Sequence, residues 1–509
     1  MIHRAQAVTA FLLCCGLGAQ VPVPGRAHRL TLQEAIRTAL ENNLQVQIAK
    51  EARAAVSAGV PVAAGTFDWN LTSGFSYGHQ DTAATKLLYP TGPLATTDTT
   101  AWSRNLTLGV QKPFEWGGNL QLNYNPSNVF SNGDYRDPNT GVYLGRFSTK
   151  YPYSSSFSGT YTQNLLKGFG RQVNEVNLIV AKKSARAADH QFSLAIINLV
   201  AATESQYWDL VFATQNLENV KAALALAQQQ LEDNKGRVQA GTMAGIEVTS
   251  AEAAAARQKQ LLVVAKSQVR NANDALLRTV DPRASRADRI EPADTPNMLF
   301  SLPDEATAEK MALERRIELK VAQLTKESMG ALRMAAENRR LPQLNAFATY
   351  NATSDNRTSF GSANSDLTGA NYPGYVVGLS FSFPIANRTA TGTLAQARAN
   401  ERGSELSLRD LELGVLLQVR QAVENVEASQ ENVEAAKATR VFREEDLRAE
   451  QKKFEKGMST TFLVLSKQND LSASKDAELQ ALIGCAKAIT ALEVATGNLL
   501  DARGFAEVK

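Results

Sequence analysis

The chain has 509 residues and a formal net charge of +3, with 54 lysines and arginines against 51 aspartates and glutamates. Its basic residues are interspersed with acidic ones rather than clustered, and this pattern excludes nucleic acid as an implied partner. Two of the three cysteines stand at positions 14 and 15, in a segment that we predict to be removed, so the mature chain keeps only Cys485 and an intrachain disulfide is excluded.

Residues 1–27 are predicted to be a secretory signal peptide. A short basic start precedes an apolar run over residues 7–17, and small residues follow. The apolar run is too short to span a bilayer as a helix, so a retained anchor is the disfavoured alternative. Lipid attachment to a cysteine favours a small residue just before it. The residues before the two cysteines are Leu13 and Cys14, and neither is small in this sense. Ordinary cleavage is therefore favoured, and lipidation stays open.

The first repeat of the chain is predicted over residues 28–282 and begins with a short helix over 31–59, in which apolar residues recur at helical spacing. A strand region follows over 65–170. Most odd positions from Phe67 to Tyr77 are aromatic or aliphatic, and the even positions are small or polar. Such alternation is a weak signature of a membrane barrel strand, and the edge strand of a soluble sandwich is the alternative.

Two long helices are predicted next, over 172–235 and 246–280. The first of these ranges contains neither Pro nor Gly, and as one helix it would be roughly 95 Å long at 1.5 Å per residue. Helices of this length favour a coiled-coil assembly, in which Phe192, Ile196 and Leu199 would form a buried seam.

The same order of elements recurs after a predicted linker over 283–303. The second repeat occupies residues 304–509. Its predicted parts are a helix over 304–338, a strand region over 342–385, and long helices over 390–456 and 461–500.

This recurrence is a divergent internal duplication. Residues 237–241 resemble 453–457, about 216 residues later, whereas residues 39–44 resemble 312–317, about 273 residues later. The difference of about 57 residues predicts an insertion in the first strand region. The candidate for this insertion lies within residues 104–124. It is either an additional hairpin in a barrel wall or an elaborated external loop.

The order, spacing and duplication of these blocks resemble the TolC-type outer-membrane efflux protein family over the whole mature chain. The residues that carry the resemblance are 30–43, the Phe-Pro-Ile step at 383–385, and 453–465. The implied fold is mainly α with membrane β. A long antiparallel α-helical coiled-coil tunnel continues a barrel that a homotrimer shares. The family pattern has four barrel strands per protomer, and the inserted segments put that count in doubt here.

The predicted functional sites are the two helix-to-helix turns. A glycine in each turn allows a left-handed cap, and simple reversals between coiled-coil helices are the alternative interpretation. The resemblance implies that the turns are periplasmic tips that gate the tunnel and dock an adaptor protein. The candidate residues are Gly241, Thr242, Gly245, Gly457, Met458 and Thr461.

The resemblance also implies that acidic residues can line the tunnel entrance beyond these glycines. Glu247 is the candidate for a single ring, and a glutamate on the helix surface is the alternative. Its partner in the second repeat is Leu463, so the family's double acidic ring is not evident.

The sequence contains no recognisable catalytic framework. The four histidines are scattered, and neither a C-x-x-C motif nor a phosphate loop occurs. We therefore expect no enzymatic activity, no cofactor and no metal site.

The expected function is that of a passive exit duct of a tripartite efflux or type I secretion system. The duct would lie in the cell outer membrane, in contact with its lipid and with a large periplasmic portion. Its expected partners are a periplasmic adaptor (membrane fusion) protein and an inner-membrane pump. A periplasmic coiled-coil scaffold or adaptor without a pore is the alternative.

Overall fold

The computed structural model describes residues 27–87, 95–137, 139–285, 288–296 and 300–505. The predicted signal peptide, with Cys14 and Cys15, lies outside the described residues except for Ala27. Within these ranges, no helix combines the length and the hydropathy needed to cross a membrane.

The chain divides into two compact units, and each unit draws on both halves of the predicted repeat. We call the first the helical unit, and its stretches are Met1–Gln47, Ala195–Ala312 and Gln418–Lys509. We call the second the sheet unit, and its stretches are Ile48–Leu194 and Leu313–Leu417.

The described elements are mostly helical. The helices are α1 (Leu32–Asn42), α2 (Leu44–Ser57), α3 (Gly59–Ala64), α4 (Arg171–Asn174), α5 (Val176–Gln239), α6 (Ile246–Val280), α7 (Glu305–Arg315), α8 (Ile317–Asn338), α9 (Phe360–Thr368), α10 (Arg388–Glu455), α11 (Thr461–Ala495) and α12 (Leu499–Ala502). The strands are β1 (Ala27–Leu30), β2 (Asn70–Leu87), β3 (Ala95–Pro113), β4 (Gly118–Arg136), β5 (Tyr143–Ser148), β6 (Tyr153–Asn164), β7 (Arg289–Pro292), β8 (Gln343–Thr353) and β9 (Pro373–Ser382).

The long helices α5 and α10 contain 64 and 68 residues, and neither contains a proline. Helix α6 has the predicted bounds, whereas α11 ends at Ala495 rather than near residue 500. The reason is a left-handed cap, since Gly497 has a φ of +70° and the amide of Asn498 donates to the carbonyl of Glu493.

The predicted helix over 31–59 is in fact two helices that are separated at Asn43. Asn43 has an extended backbone, with a φ of −67° and a ψ of 129°. Its Oδ1 accepts from the amide of Gln45 at 2.7 Å, and its Nδ2 donates to the carbonyl of Thr279 at 2.8 Å. The side chain thus caps the start of α2. Its bond to the backbone competes with a continuous helix, and the helical spacing of the apolar residues does not reveal this.

The predicted helix over 304–338 is interrupted in the same way at Arg316. Its backbone is also extended, with a φ of −56° and a ψ of 124°, and its guanidinium binds the carboxylate of Glu318. Arg316 and Asn43 are matched by the offset of about 273 residues found in the sequence. The interruption therefore falls at corresponding positions of the two predicted repeats.

The predicted linker over 283–303 contains strand β7, which pairs in parallel with β1 from Ala27↔Arg289 to Leu30↔Pro292. Beside this pair, the buried hydroxyl of Tyr207 donates to the carbonyl of Leu30 at 3.1 Å. It also accepts from the amides of Ala293 and Asp294 at 3.0 and 3.1 Å. Burial raises the pKa of the Tyr207 hydroxyl, so it stays protonated and can donate.

Tyr207→Phe is expected to destabilise the folded protein by about 1–3 kcal/mol, because the amide of Asp294 loses its bond to the hydroxyl, whereas the amide of Ala293 still donates to the carbonyl of Leu30 at 3.1 Å. The measurement is the unfolding midpoint of the purified protein. Tyr151→Phe, at an exposed tyrosine, is the matched control and should leave the midpoint unchanged. Equal midpoints for both variants would show that the Tyr207 hydroxyl contributes no net stability.

The sheet unit holds an antiparallel sheet in the order β2-β3-β4-β6-β8-β9, and β5 pairs with the end of β4. Residues 104–124, the insertion candidate, lie in the β3–β4 hairpin between β2 and β6. The alternative of an external loop is therefore wrong. The continuous path has six strands rather than the four that the resemblance implied.

The two faces of this sheet differ sharply in composition. What we call the apolar face carries the odd residues of β2, β6 and β9 and the even residues of β3, β4 and β8. One row across the apolar face is Leu71, Val110, Leu122, Gly159, Tyr350 and Tyr375. The adjacent row, on what we call the polar face, is Thr72, Gly109, Asn123, Ser158, Asn351 and Gly374.

The predicted strand region over 342–385 also contains a helix, α9, which the sequence did not indicate. Asp366 on α9 accepts two hydrogen bonds from Arg357, at 2.7 and 2.9 Å. This ion pair links α9 to the residues that precede it. Asn364 accepts from the hydroxyls of Tyr124 and Ser155, both at 2.8 Å. Helix α9 therefore lies against the apolar face of β4 and β6.

Candidate functional site

The first helix-to-helix turn connects α5 to α6 in the helical unit. Gly241 has a φ of +72°, and its amide donates to the carbonyl of Val238 at 3.0 Å. The next amide, of Thr242, donates to the carbonyl of Arg237 at 2.9 Å. This pair of bonds is a Schellman cap, and the Thr242 hydroxyl adds a third bond to the same carbonyl.

The second turn connects α10 to α11 and repeats the two backbone hydrogen bonds of this cap. Gly457 has a φ of +75°, and its amide donates to the carbonyl of Phe454 at 3.0 Å. The amide of Met458 donates to the carbonyl of Lys453 at 2.9 Å. The hydroxyl of Thr460 then caps the start of α11.

Gly245 differs from these two glycines. Its φ of −59° and ψ of −27° are ordinary helical values, and it forms the N-cap of α6. A Cβ added at Gly241, Gly245 or Gly457 would meet no atom within 4 Å. A side chain would therefore strain the backbone at Gly241 and Gly457 but not at Gly245.

The two turns carry exposed apolar side chains. Met458 and Phe462 are 68% and 69% exposed, and Ile246 at the start of α6 is 68% exposed. Thr461, by contrast, is buried, and within the described residues its hydroxyl has no hydrogen-bond partner. The two turns thus present apolar groups outward and bury a polar one.

A contact between α5 and α10 that the sequence did not reveal links the ends of the two helices. The guanidinium of Arg237 lies 4.9 Å from the centre of the Phe454 ring. Arg237 and Phe454 both belong to the matched blocks, but nothing in a single sequence indicates how two hairpins are registered. This contact brings the two predicted turns together.

Glu450 stabilises the second turn through its side chain. It accepts from the hydroxyl of Ser459 and from Lys453, the latter at 3.1 Å. The hydrogen bond from Ser459, followed by that from Lys453, lowers the pKa of the Glu450 carboxyl. Glu450 is therefore ionised at neutral pH and holds the turn to the end of α10.

Glu247 is half-buried rather than fully exposed on the helix surface. Its Oε2 is buried and makes no hydrogen bond to any described residue. Its backbone carbonyl accepts from Nδ2 of the fully buried Asn234 at 3.3 Å. In the part of the chain that the structure describes, no group of three His, Cys, Asp or Glu residues could hold a metal ion.

The chain matches a known protein family over most of its length. A model of the outer membrane efflux protein family matches residues 132–280 and 309–498, and the chain belongs to that family. The outer membrane protein TolC of Vibrio cholerae is 24% identical over 261 residues. That match covers 51% of this chain and 57% of the relative's own length.

Solved structures of outer-membrane proteins share the fold at low identity. The CmeC outer membrane channel of Campylobacter jejuni matches with a TM-score of 0.65 and 14% identity, over 92% of this chain and 86% of that one. The outer membrane protein VceC of Vibrio cholerae matches with a TM-score of 0.65 and 15% identity, over 92% and 96%.

Membership of the family confirms the resemblance found in the sequence. The protein is located in the outer membrane with a periplasmic portion, as predicted.

Proposed function

We propose that this chain is the exit duct of a tripartite efflux or type I secretion system and works as a homotrimer. The sheet units of three copies close a shared β-barrel in the outer membrane, and the long helices form a coiled-coil tunnel. A periplasmic adaptor and an inner-membrane pump dock below, and transport through the duct is passive.

The two-faced sheet carries this proposal. Its apolar face leaves large side chains uncovered, including Leu71, Phe75, Val377 and Phe381, with Tyr375 85% exposed. So large an apolar surface would cause aggregation in water but suits contact with lipid. The polar face, rich in Ser, Thr, Asn and Gly, suits a water-filled interior.

The helix-to-helix turns are proposed as the docking and gating sites. Each combines a fixed left-handed cap with exposed apolar side chains, which are suitable for a partner's helices. Glu247 is the weaker proposal. Its partly buried carboxylate, repeated three times in a trimer, would give one acidic ring at the entrance.

A size measurement tests the trimer. The detergent-extracted protein should migrate as a heat-modifiable trimer and should fractionate with the outer membrane, because so few strands cannot close a water-filled barrel alone. A stable, folded monomer with full strand content in the periplasmic fraction would support the scaffold alternative and contradict the channel.

Gly241→Val combined with Gly457→Val should abolish efflux while membrane level and trimer formation stay normal. A β-branched residue at φ near +70° is strained, so each turn must shift. The assay is efflux of a fluorescent dye from cells that depend on this protein. Gly245→Ala is the matched control, since its backbone is helical and its surroundings are open. Normal efflux in the double variant would contradict a role of the turns in gating.

A further inference from the structure

The β3–β4 hairpin is an integral part of the sheet. Strand β2 pairs with β3 without a break from Asn70↔Gln111 to Thr82↔Thr99. Strand β4 in turn pairs with β6 from Gly118↔Gln163 to Asn128↔Tyr153. No described residue of β2 is registered directly to β6, so the hairpin separates the two strands that a four-stranded wall would join.

The inserted hairpin keeps both faces of the sheet. Leu106, Leu108 and Val110 of β3 lie on the apolar face, and Leu120 and Leu122 of β4 lie beside them. The residues between, such as Thr107, Gly109, Gln121 and Asn123, lie on the polar face. A hairpin that projected into solvent would have no need of a continuous apolar face.

The turn of this hairpin is held by hydrogen bonds to the connection between β6 and α4. The carbonyls of Gly117 and Trp116 accept from the amides of Asn164 and Gly170 at 3.2 and 3.1 Å. Gly117 has a φ of +91°, and a Cβ there would lie 2.1 Å from the carbonyl oxygen of Gly168.

Side chains complete this attachment. The guanidinium of Arg171 binds the Glu115 carboxylate at 2.5 Å, and the rings of Phe114 and Trp116 are stacked with centres 4.5 Å apart. The turn is therefore held at the same edge of the sheet as the strand-to-helix connection.

The two edge strands of the sheet, β2 and β9, are suited to pairing with a further strand. Within the described ranges, the outer edges of β2 and β9 have no strand partner. Soluble proteins protect such edges with charged residues or bulges, but β9 and residues 70–78 of β2 contain no charged side chain. Because six antiparallel strands are an even number, β2 of one copy runs antiparallel to β9 of the next.

We propose that the barrel of the trimer has eighteen strands, six from each copy, and that it closes by pairing of β2 with β9 of the neighbouring copy. This inference rests on the proposed trimeric function and names the surface through which the copies join. Barrel diameter grows roughly linearly with strand number, so this wall is about 1.5 times wider than one of twelve strands. The hairpin thus sets the width of the channel in the membrane.

Cysteine pairs in a Cys485→Ala background test the proposal on the assembled, membrane-inserted protein. Ser76→Cys with Asn105→Cys joins registered neighbours on β2 and β3 and should form a disulfide within one chain. Ser76→Cys with Ser158→Cys should not, because β2 and β6 are three strand spacings apart, roughly 14 Å. Formation of the second disulfide instead of the first would overturn the six-stranded wall.

The contact between copies is tested by Ser76→Cys combined in turn with Val376→Cys, Gly378→Cys and Ser380→Cys, all on the polar face of β9. At least one pair should give covalent trimers on a denaturing gel. A stable trimer in which no pair links the chains would overturn this inference and leave the proposed function intact. Absence of any trimer, with the β2–β3 disulfide still formed, would overturn both.

Discussion

Ile196→Asp is expected to prevent the assembly of a folded trimer. Ile196 lies on α5 and is 1% exposed, and Leu199 and Val200 beside it are also buried. A carboxylate forced into this seam loses its hydration and gains no partner, which costs about 4 kcal/mol or more. The measurement is the yield and melting temperature of the heat-modifiable trimer.

Asn198→Asp provides the matched control for this variant. Asn198 lies two residues further along α5 on the exposed side of the helix, and the substitution introduces the same carboxylate with almost no change in shape. It should leave assembly and melting unchanged. A trimer of normal stability in Ile196→Asp would mean that the seam is not packed in the assembled protein.

Arg503→Met is expected to destabilise the helical unit by about 3–5 kcal/mol, because it leaves two buried carboxylates without a cation. Arg503 donates to Glu204 at 2.9 and 3.1 Å and lies 2.7 Å from Oε2 of Glu493. Glu204 and Glu493 are both buried. Burial already raises the pKa of the Glu493 carboxyl, and Arg503 works against that rise.

The loss in Arg503→Met should depend on pH. Without the cation, the pKa of the Glu493 carboxyl, which burial raises, lies above its unfolded value, so the penalty is largest above the folded pKa. As the pH falls through the folded pKa toward the unfolded value, the Glu493 carboxyl becomes neutral in the folded state and the penalty shrinks. Unfolding at pH 8 and pH 5 measures this difference.

The control for the pH effect removes the charges together. Adding Glu204→Gln and Glu493→Gln to Arg503→Met should recover most of the stability and should abolish the pH dependence, because no buried charge is left. A penalty in Arg503→Met that is the same at pH 8 and pH 5 would contradict the account.

Features that depend on local periodicity could be predicted from the sequence. The long helices appear within a few residues of their predicted bounds, since helical spacing and the absence of Pro act along the chain itself. The capping glycines Gly241 and Gly457 were also found, because few other residues adopt a positive φ at little cost. Family membership confirmed the resemblance that these blocks carried.

Features that depend on distant contacts could not be predicted. The break at Asn43 uses the carbonyl of Thr279, more than two hundred residues away. The Arg237–Phe454 contact and the Arg503 cluster likewise depend on how helices are registered, which no single sequence encodes locally. Helix α9 was missed because its Gly, Ser and Asn residues resemble a loop until the ion pair of Arg357 closes it.

The order of the strands has a consequence for folding. Strands β2, β3, β4 and β6 lie close together in the chain, with only the short β5 between β4 and β6, and they form a meander of local pairings. Strands β8 and β9 form a second local pair. The β6–β8 ladder, for example Asn164↔Asn345, joins these two modules across an excursion that contains α5 and α6. Closing so long a loop costs chain entropy before any hydrogen bond is gained, so we expect this ladder to form after the local pairings of the two modules.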